Sequence, residues 1–182
     1  KKQNEVSWYQ PTPKESIDFF ESQNIAKDAS IIDIGSGDSY FIDYLINKGY
    51  TNIYALDISE NAIQRLKNRL AEKAINVNFI ITNILNFDPK LKFDYWHDRA
   101  VFHFLTEHNE INKYKEIFYN SISTGGKAMI ATFSKSGPLK CSALPITQYD
   151  GIDLQNLFAE NFNCIESKSV VHPTPFDITQ NF

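Results

Sequence analysis

Hydrophobic positions along this chain change period repeatedly, from short β-branched runs to apolar residues three and four apart, and each change predicts an element. After Pro11 and Pro13, residues 14 to 23 carry Ile17, Phe19 and Phe20 in a short helical pattern. A first strand is expected over 30 to 35. A helix over 38 to 48 follows, with Phe41, Ile42, Leu45 and Ile46 on its apolar face and Gly49 as its stop. The second strand, Asn52 to Leu56, ends at Asp57, and Ser59 is placed to cap a helix burying Ile63, Leu66 and Leu70. Val77 to Thr82 and Phe93 to His97 read as strands three and four. A helix from about Glu107 to Ile122 presents Ile111, Tyr114, Ile117 and Phe118. Gly125-Gly126 then turns the chain into a fifth strand, Lys127 to Phe133. Residues 134 to 149, with two prolines, a glycine and small polar residues, form the one long loop. Leu154, Leu157 and Phe158 mark a last helix and 162 to 171 a sixth strand. A seventh starts after His172-Pro173-Thr174-Pro175.

Strands alternating with helices imply a mostly parallel sheet covered on both faces, an α/β architecture. The 182 residues, 42% apolar and 14% aromatic, suit one domain spanning 1–182. A net charge of -4 without a basic cluster argues against a nucleic-acid partner. Two cysteines, Cys141 and Cys164, are too few for a disulfide framework and fit a reducing compartment. No apolar run approaches a membrane span, and Lys1-Lys2-Gln3-Asn4-Glu5 lacks the apolar core of a signal peptide. A soluble, cytoplasmic protein is therefore expected. Position 1 is not methionine and Gln180-Asn181-Phe182 reads as a strand cut short, so residues are expected beyond both ends. The oligomeric state is not legible.

The densest signal is Ile31-Ile32-Asp33-Ile34-Gly35-Ser36-Gly37-Asp38-Ser39, where a buried strand must turn into a helix through an acid and two glycines. Glycines there let the backbone adopt conformations closed to other residues and let a ligand approach the main chain. Asp38 and Ser39 are candidate caps. Two ligand-binding turns share this outline. The dinucleotide fingerprint wants a third glycine where Tyr40 stands, whereas the D-x-G-x-G-x-G/S turn of S-adenosylmethionine (SAM) enzymes is satisfied. In an open α/β sheet, ligands sit beyond the carboxyl ends of the strands, so polar residues at those ends should converge. Asp57, 20 residues after Gly37, stands where a carboxylate accepts from both ribose hydroxyls, with Ile58 beside it. Asn83 and Ile84, after strand three, would frame an adenine.

A second dense stretch runs from Trp96 to Leu105. Asp98 could face a cationic sulfonium or ammonium, and Arg99 a carboxylate of cofactor or substrate. The competing reading is an Asp98 and Arg99 structural pair with His103 satisfied in the core. His103 or His97 could act as a base, since imidazole titrates near neutrality. Trp8 and Tyr9 could close over the site or staple the N-terminus to the sheet. Cys141 is a candidate pocket residue; a lone cysteine is more often a small buried hydrophobe than a nucleophile. No cluster has zinc spacing and no Gly-Lys-Ser/Thr phosphate loop exists.

On these motifs, the whole chain resembles class I SAM-dependent methyltransferases. Val6-Ser7-Trp8-Tyr9-Gln10, Trp96 to Leu105, Ala131-Thr132-Phe133, Cys141-Ser142-Ala143-Leu144-Pro145 and His172 to Pro175 look like a family of small bacterial methyltransferases. The glycine turn and Asp98 to His103 are also similar to eukaryotic protein-lysine methyltransferases. The resemblance implies a Rossmann-like three-layer sandwich with seven strands in the order 3-2-1-4-5-7-6, the last truncated. It also implies SAM as co-substrate without a metal, held by Asp33, Gly35, Ser36, Gly37, Asp57, Ile58, Asn83, Ile84 and Asp98. The methyl would pass to an N, O or S atom of a small metabolite or protein side chain. The acceptor pocket would hold Trp8, Tyr9, His97 and Cys141, with His103 and Arg99 as catalytic candidates. An Asn/Asp-Pro-Pro-Tyr/Phe element and the acidic metal triad of catechol-type enzymes are both missing. An NAD-linked oxidoreductase and a non-catalytic SAM-binding regulator stand as alternatives.

Overall fold

The computed structural model describes residues 12–173 and 179–181. Its centre is β1 (Ile31–Ile34), a four-residue run buried at every position, as a strand covered on both faces requires. Around it, β2 (Ile53–Asp57), β3 (Val77–Ile81), β4 (Phe93–Arg99) and β5 (Ile122–Ala131) pair in parallel, in the order β3-β2-β1-β4-β5. Helices α1 (Lys14–Ser22), α2 (Phe41–Asn47) and α3 (Glu60–Leu70) cover one face. There Phe20 meets Tyr95 edge-on at 4.8 Å and packs with Phe41, Leu45 and Leu66. Helices α4 (His108–Ser121) and α5 (Gly151–Phe158) cover the other, over Trp96, Phe102, Tyr114 and Phe118.

The helix starts follow from local chemistry. Ser59 Oγ accepts from the Ala62 amide at 3.2 Å to begin α3, as expected. Capping boxes of Glu107 with Glu110 and of Asp150 with Asp153 begin α4 and α5. Helix α2 begins at Phe41 rather than at residue 38, without a side-chain cap at Tyr40.

The α/β class and the order of the first five strands agree with expectation, but the sheet has five strands among the described residues rather than seven. Residues 162–170 form no strand. Asn163, Glu166, Ser167, Lys168 and Ser169 are exposed there, leaving too little apolar surface for a strand face. After a two-residue hairpin within the long loop, β6 (Lys140–Cys141) with β7 (Leu144–Pro145), a separate pair is formed by β8 (Val171–Pro173) and β9 (Thr179–Asn181). The outer edge of β5 pairs with no described strand. It borders a groove of about 720 Å³ shared with α5 and residues 161–170.

Two strands are longer than expected. β5 begins directly after α4 and absorbs Gly125-Gly126 in a bulge opposite Phe93 and Tyr95, with Gly125 at φ +78°. β4 continues through Asp98 to Arg99. That extension decides which residues meet at the site.

Candidate functional site

The glycine turn is held from below by β2. Gly35 and Ser36 donate their amides to the Leu56 carbonyl at 2.8 and 3.0 Å, and Ser36 is fully buried. The Gly37 amide donates to Asp57 Oδ2 at 2.9 Å, while Asp57 Oδ1 accepts from the Ser59 amide at 2.8 Å. Burial pushes the Asp57 carboxyl upward, against these two amides, which favour its ionised form. Only glycine fits this close approach. A Cβ on Gly35, at φ +68°, would lie 2.2 Å from Val101 Cγ2, and one on Gly37 would lie 2.9 Å from Asp57 Oδ2.

Beside this turn, Ile58 is 67% exposed, an uncovered apolar side chain next to the acid. Asn83 uses its side-chain oxygen to accept from the Leu85 amide at 2.9 Å, capping the turn that buries Ile84. The oxygen expected to meet an adenine amino group therefore already holds the backbone.

Arg69, at the end of α3, fixes the other side of the turn. Its guanidinium donates to the Asp38 and Ser39 carbonyls and to both oxygens of Asp43, at 3.2 and 2.8 Å for the carboxylate. Its carbon also lies 4.3 Å from the centroid of Tyr40. Asp38, expected as a cap, receives both forks of Arg65 at 2.9 and 2.7 Å. Ser39 Oγ does accept from the Phe41 amide, at 3.1 Å. The sequence carried no signal for Arg69.

Because successive side chains of a strand point to opposite faces, extending β4 to Arg99 divides the expected cluster. Trp96 and Asp98 go to the α4 face. Asp98 is fully buried and accepts from the Val101 and Phe102 amides at 3.0 and 3.2 Å and from the Tyr114 hydroxyl at 2.6 Å. Trp96 Nε1 in turn donates to Tyr114 at 3.0 Å. Burial pushes the Asp98 carboxyl up to about 6 despite these donors. Asp98 thus holds the turn after β4 through three donors within the protein.

His97 and Arg99 go to the α1 face with Asp33 and Asp57. His97 Nδ1 lies 2.6 Å from Asp33 Oδ1 and Nε2 lies 2.8 Å from Ser16 Oγ of α1; the residue is 1% exposed. It is therefore not a pocket-lining side chain, because helix α1 seals it. Asp33 Oδ2 is buried without a partner among the described residues. Arg99, half-buried, borders the groove beside Glu15, Ser16 and Thr132. Burial lowers its affinity for a proton, and the Glu15 and Asp33 carboxylates oppose that effect.

Beyond β4, His103 is fully buried and stacks on Phe133 with ring centroids 5.0 Å apart. Neither ring nitrogen has a described partner, and burial pushes the imidazole down to about 4. Its carbonyl accepts from the Thr147 amide at 2.8 Å, fastening the long loop to this turn. Cys141 is buried in the same loop and its thiol is pushed upward by that burial. Ser142 and Ala143, which close the hairpin, have φ of 51° and 67°. Trp8 and Tyr9 lie outside the described residues. Among the described residues, no group of three or more His, Cys, Asp or Glu could hold a metal ion, and no helix is long and apolar enough to cross a membrane.

Comparison with known proteins places this arrangement. The profile of a family described as a methyltransferase domain matches residues 25–175. The chain is 35% identical over 88 residues to EEF1A lysine methyltransferase 2 of Danio rerio, covering 47% of this chain and 38% of that protein. It is 30% identical over 107 residues to malonyl-(acyl-carrier protein) O-methyltransferase 2 of Ilyobacter polytropus, covering 58% and 40%. The chain thus spans about two fifths of the length of these curated relatives. Its fold is similar to the crystal structure of Burkholderia thailandensis 1,6-didemethyltoxoflavin-N1-methyltransferase. The TM-score is 0.65 at 19% identity, over 97% of this chain and 90% of that one.

Proposed function

We infer the reaction from one premise: this chain belongs to the methyltransferase-domain family. It moves the methyl group of SAM to an N, O or S atom of a small metabolite or a protein side chain and releases S-adenosylhomocysteine. The observation that carries this reading is the 2.9 Å contact between the Gly37 amide and Asp57, which fixes turn and acid together at the ends of β1 and β2. The residues present fit the cofactor. Each Asp57 oxygen, with one amide bound, keeps a lone pair for a ribose hydroxyl. Exposed Ile58 offers apolar surface to an adenine. Asp33 Oδ2 offers an unpaired acceptor to an ammonium.

When bound, SAM supplies an already activated sulfonium methyl, so the protein's contribution is alignment and charge complementarity. Arg99 is the acceptor-side charge at the groove. Burial holds His103 near 4, neutral at physiological pH and a poor base toward an ammonium, and its fully buried ring supports the turn after β4 beside the site. Cys141 lines the loop side without acting as a nucleophile, since burial keeps its thiol protonated. A cytoplasmic setting belongs to the same reading. So do both acceptor classes, as the relatives' names include a lysine methyltransferase and an O-methyltransferase.

Tyr40, covered by Arg69 where a dinucleotide turn needs glycine, counts against NAD. Calorimetry with S-adenosylhomocysteine and NAD tests the reading: the first is expected to bind and the second not. The reverse result overturns it. Incubation with methyl-labelled SAM and fractionated metabolites or proteome is expected to label an acceptor; tight binding with no transfer to any fraction would favour a regulator instead.

A further inference from the structure

The buried array formed by Ser16, His97 and Asp33 has no place in the alignment of cofactor and acceptor described so far. Its three members come from α1, β4 and β1, and each is about 1% exposed. Asp33 and His97 stand directly opposite each other in the parallel register of β1 and β4. His97 can satisfy both neighbours as one neutral tautomer, with Nδ1–H donating to Asp33 Oδ1 and Nε2 accepting from the Ser16 hydroxyl. The ring is clamped against Phe41 at 4.3 Å between centroids. The same order of groups activates serine nucleophiles in hydrolases. Here, however, Ser16 is 1% exposed in the first turn of a helix, which leaves its hydroxyl too little surface for attack on an ester or amide.

The asymmetry of Asp33 points to a different task. One carboxylate oxygen is held by His97, and the other is buried with no described donor. An unpaired buried acceptor is costly to leave unmade, and a carboxylate oxygen most favours a cationic donor. Asp33 stands two residues before Gly35, at the foot of the glycine turn. Resting on the cofactor reading above, we propose that His97 is a positioning residue: it fixes the Asp33 carboxylate so that its second oxygen meets the ammonium of the cofactor's amino-acid end. Ser16 locks the imidazole, which makes helix α1 part of the cofactor site.

Comparing S-adenosylhomocysteine with 5′-methylthioadenosine, which carries the adenosine and thioether but no amino acid, isolates this role. Calorimetry on the chain and on His97→Phe, His97→Asn and Ser16→Ala reads it directly. His97→Phe keeps a ring against Phe41 and is expected to weaken S-adenosylhomocysteine binding about tenfold or more, on the scale of one charge-assisted hydrogen bond, with methylthioadenosine changed by less than about twofold. His97→Asn retains a donor toward Asp33 and is expected to recover most of the loss. Ser16→Ala is expected to fall between them. Unchanged S-adenosylhomocysteine affinity in the folded variants overturns the proposal, and so does an equal loss for both ligands, which would mark a merely structural role. Should His97→Phe fail to fold, the two conservative variants carry the same comparison. Parent protein that binds neither ligand removes the cofactor reading itself, an outcome distinct from failure of the His97 assignment.

Discussion

The two faces of β4 treat buried carboxylates in opposite ways. On the α4 face, Asp98 accepts from three donors and is joined through Tyr114 to Trp96. On the α1 face, Asp33 has one described donor, and one oxygen remains bare. A carboxylate with three donors inside the protein serves the fold, whereas one left incomplete among the described residues at the foot of the glycine turn is, under the proposal above, completed by the cofactor. This contrast separates two acids that lie on neighbouring strands.

The largest expected effect lies on the α4 face. Asp98→Ala strands two amides and a hydroxyl in the core and should cost about 3–5 kcal/mol in urea unfolding. A loss under about 1 kcal/mol would break the comparison. Next is a pH effect that pulls Asp98 and His103 apart. The folded state holds His103 near 4, below its ordinary value of 6.5, so its contribution is lost as pH falls from about 6.5 toward 4. Asp98 is raised to about 6, so its contribution is present at low pH and lost as pH rises from about 4 through 6. His103→Phe should therefore gain on the parent as pH is lowered, by about 2–3 kcal/mol at pH 4. Asp98→Asn should lose ground over the same range. Parallel curves for the parent and both variants would refute this.

Tyr114→Phe removes one donor to Asp98 and leaves Trp96 Nε1 without an acceptor, for an expected loss of about 1.5–3 kcal/mol. The smallest effect on stability belongs to the α1 face. Asp33→Asn should change unfolding by less than about 1 kcal/mol, since the native carboxylate is already incompletely paired, yet it should weaken S-adenosylhomocysteine binding. Stability loss matching that of Asp98→Ala would erase the distinction between the faces.

The glycine turn and its partner acid were legible in the sequence, because a strand that ends in Asp33, Gly35 and Gly37 and another that ends at Asp57 constrain the backbone locally. The cluster from Trp96 to His103 is one dense stretch in the sequence, and the structure divides it between the two faces of the sheet. Two more strand residues, Asp98 and Arg99, let the pleat send neighbours to opposite faces, and strand ends are the least certain feature of a hydrophobic pattern. Ser16, Arg69 and the Tyr114 hydroxyl escaped notice because their partners are 81, 30 and 16 residues away, at His97, Ser39 and Asp98. The sixth strand expected over 162 to 171 is missing from 162–170, where the polar neighbours of Phe162, Ile165 and Val170 leave no face to bury.

Arg69 has a further consequence, for the order in which this half of the protein forms. The first turn of α2 has no side-chain cap at Tyr40; Ser39 Oγ holds the Phe41 amide, and the Asp38 and Ser39 carbonyls before it are held by a guanidinium from the end of α3. The second of these holds is a contact about thirty residues downstream, which exists only after the β1, β2 and α3 crossover has docked. The glycine turn is accordingly expected to form late in folding, and Arg69 variants are expected to speed unfolding and leave the folding rate nearly unchanged, with low φ-values. In the native state, hydrogen exchange is expected to be faster at the amides from Gly37 to Phe41 than at those of β1, whose strand is closed on both sides.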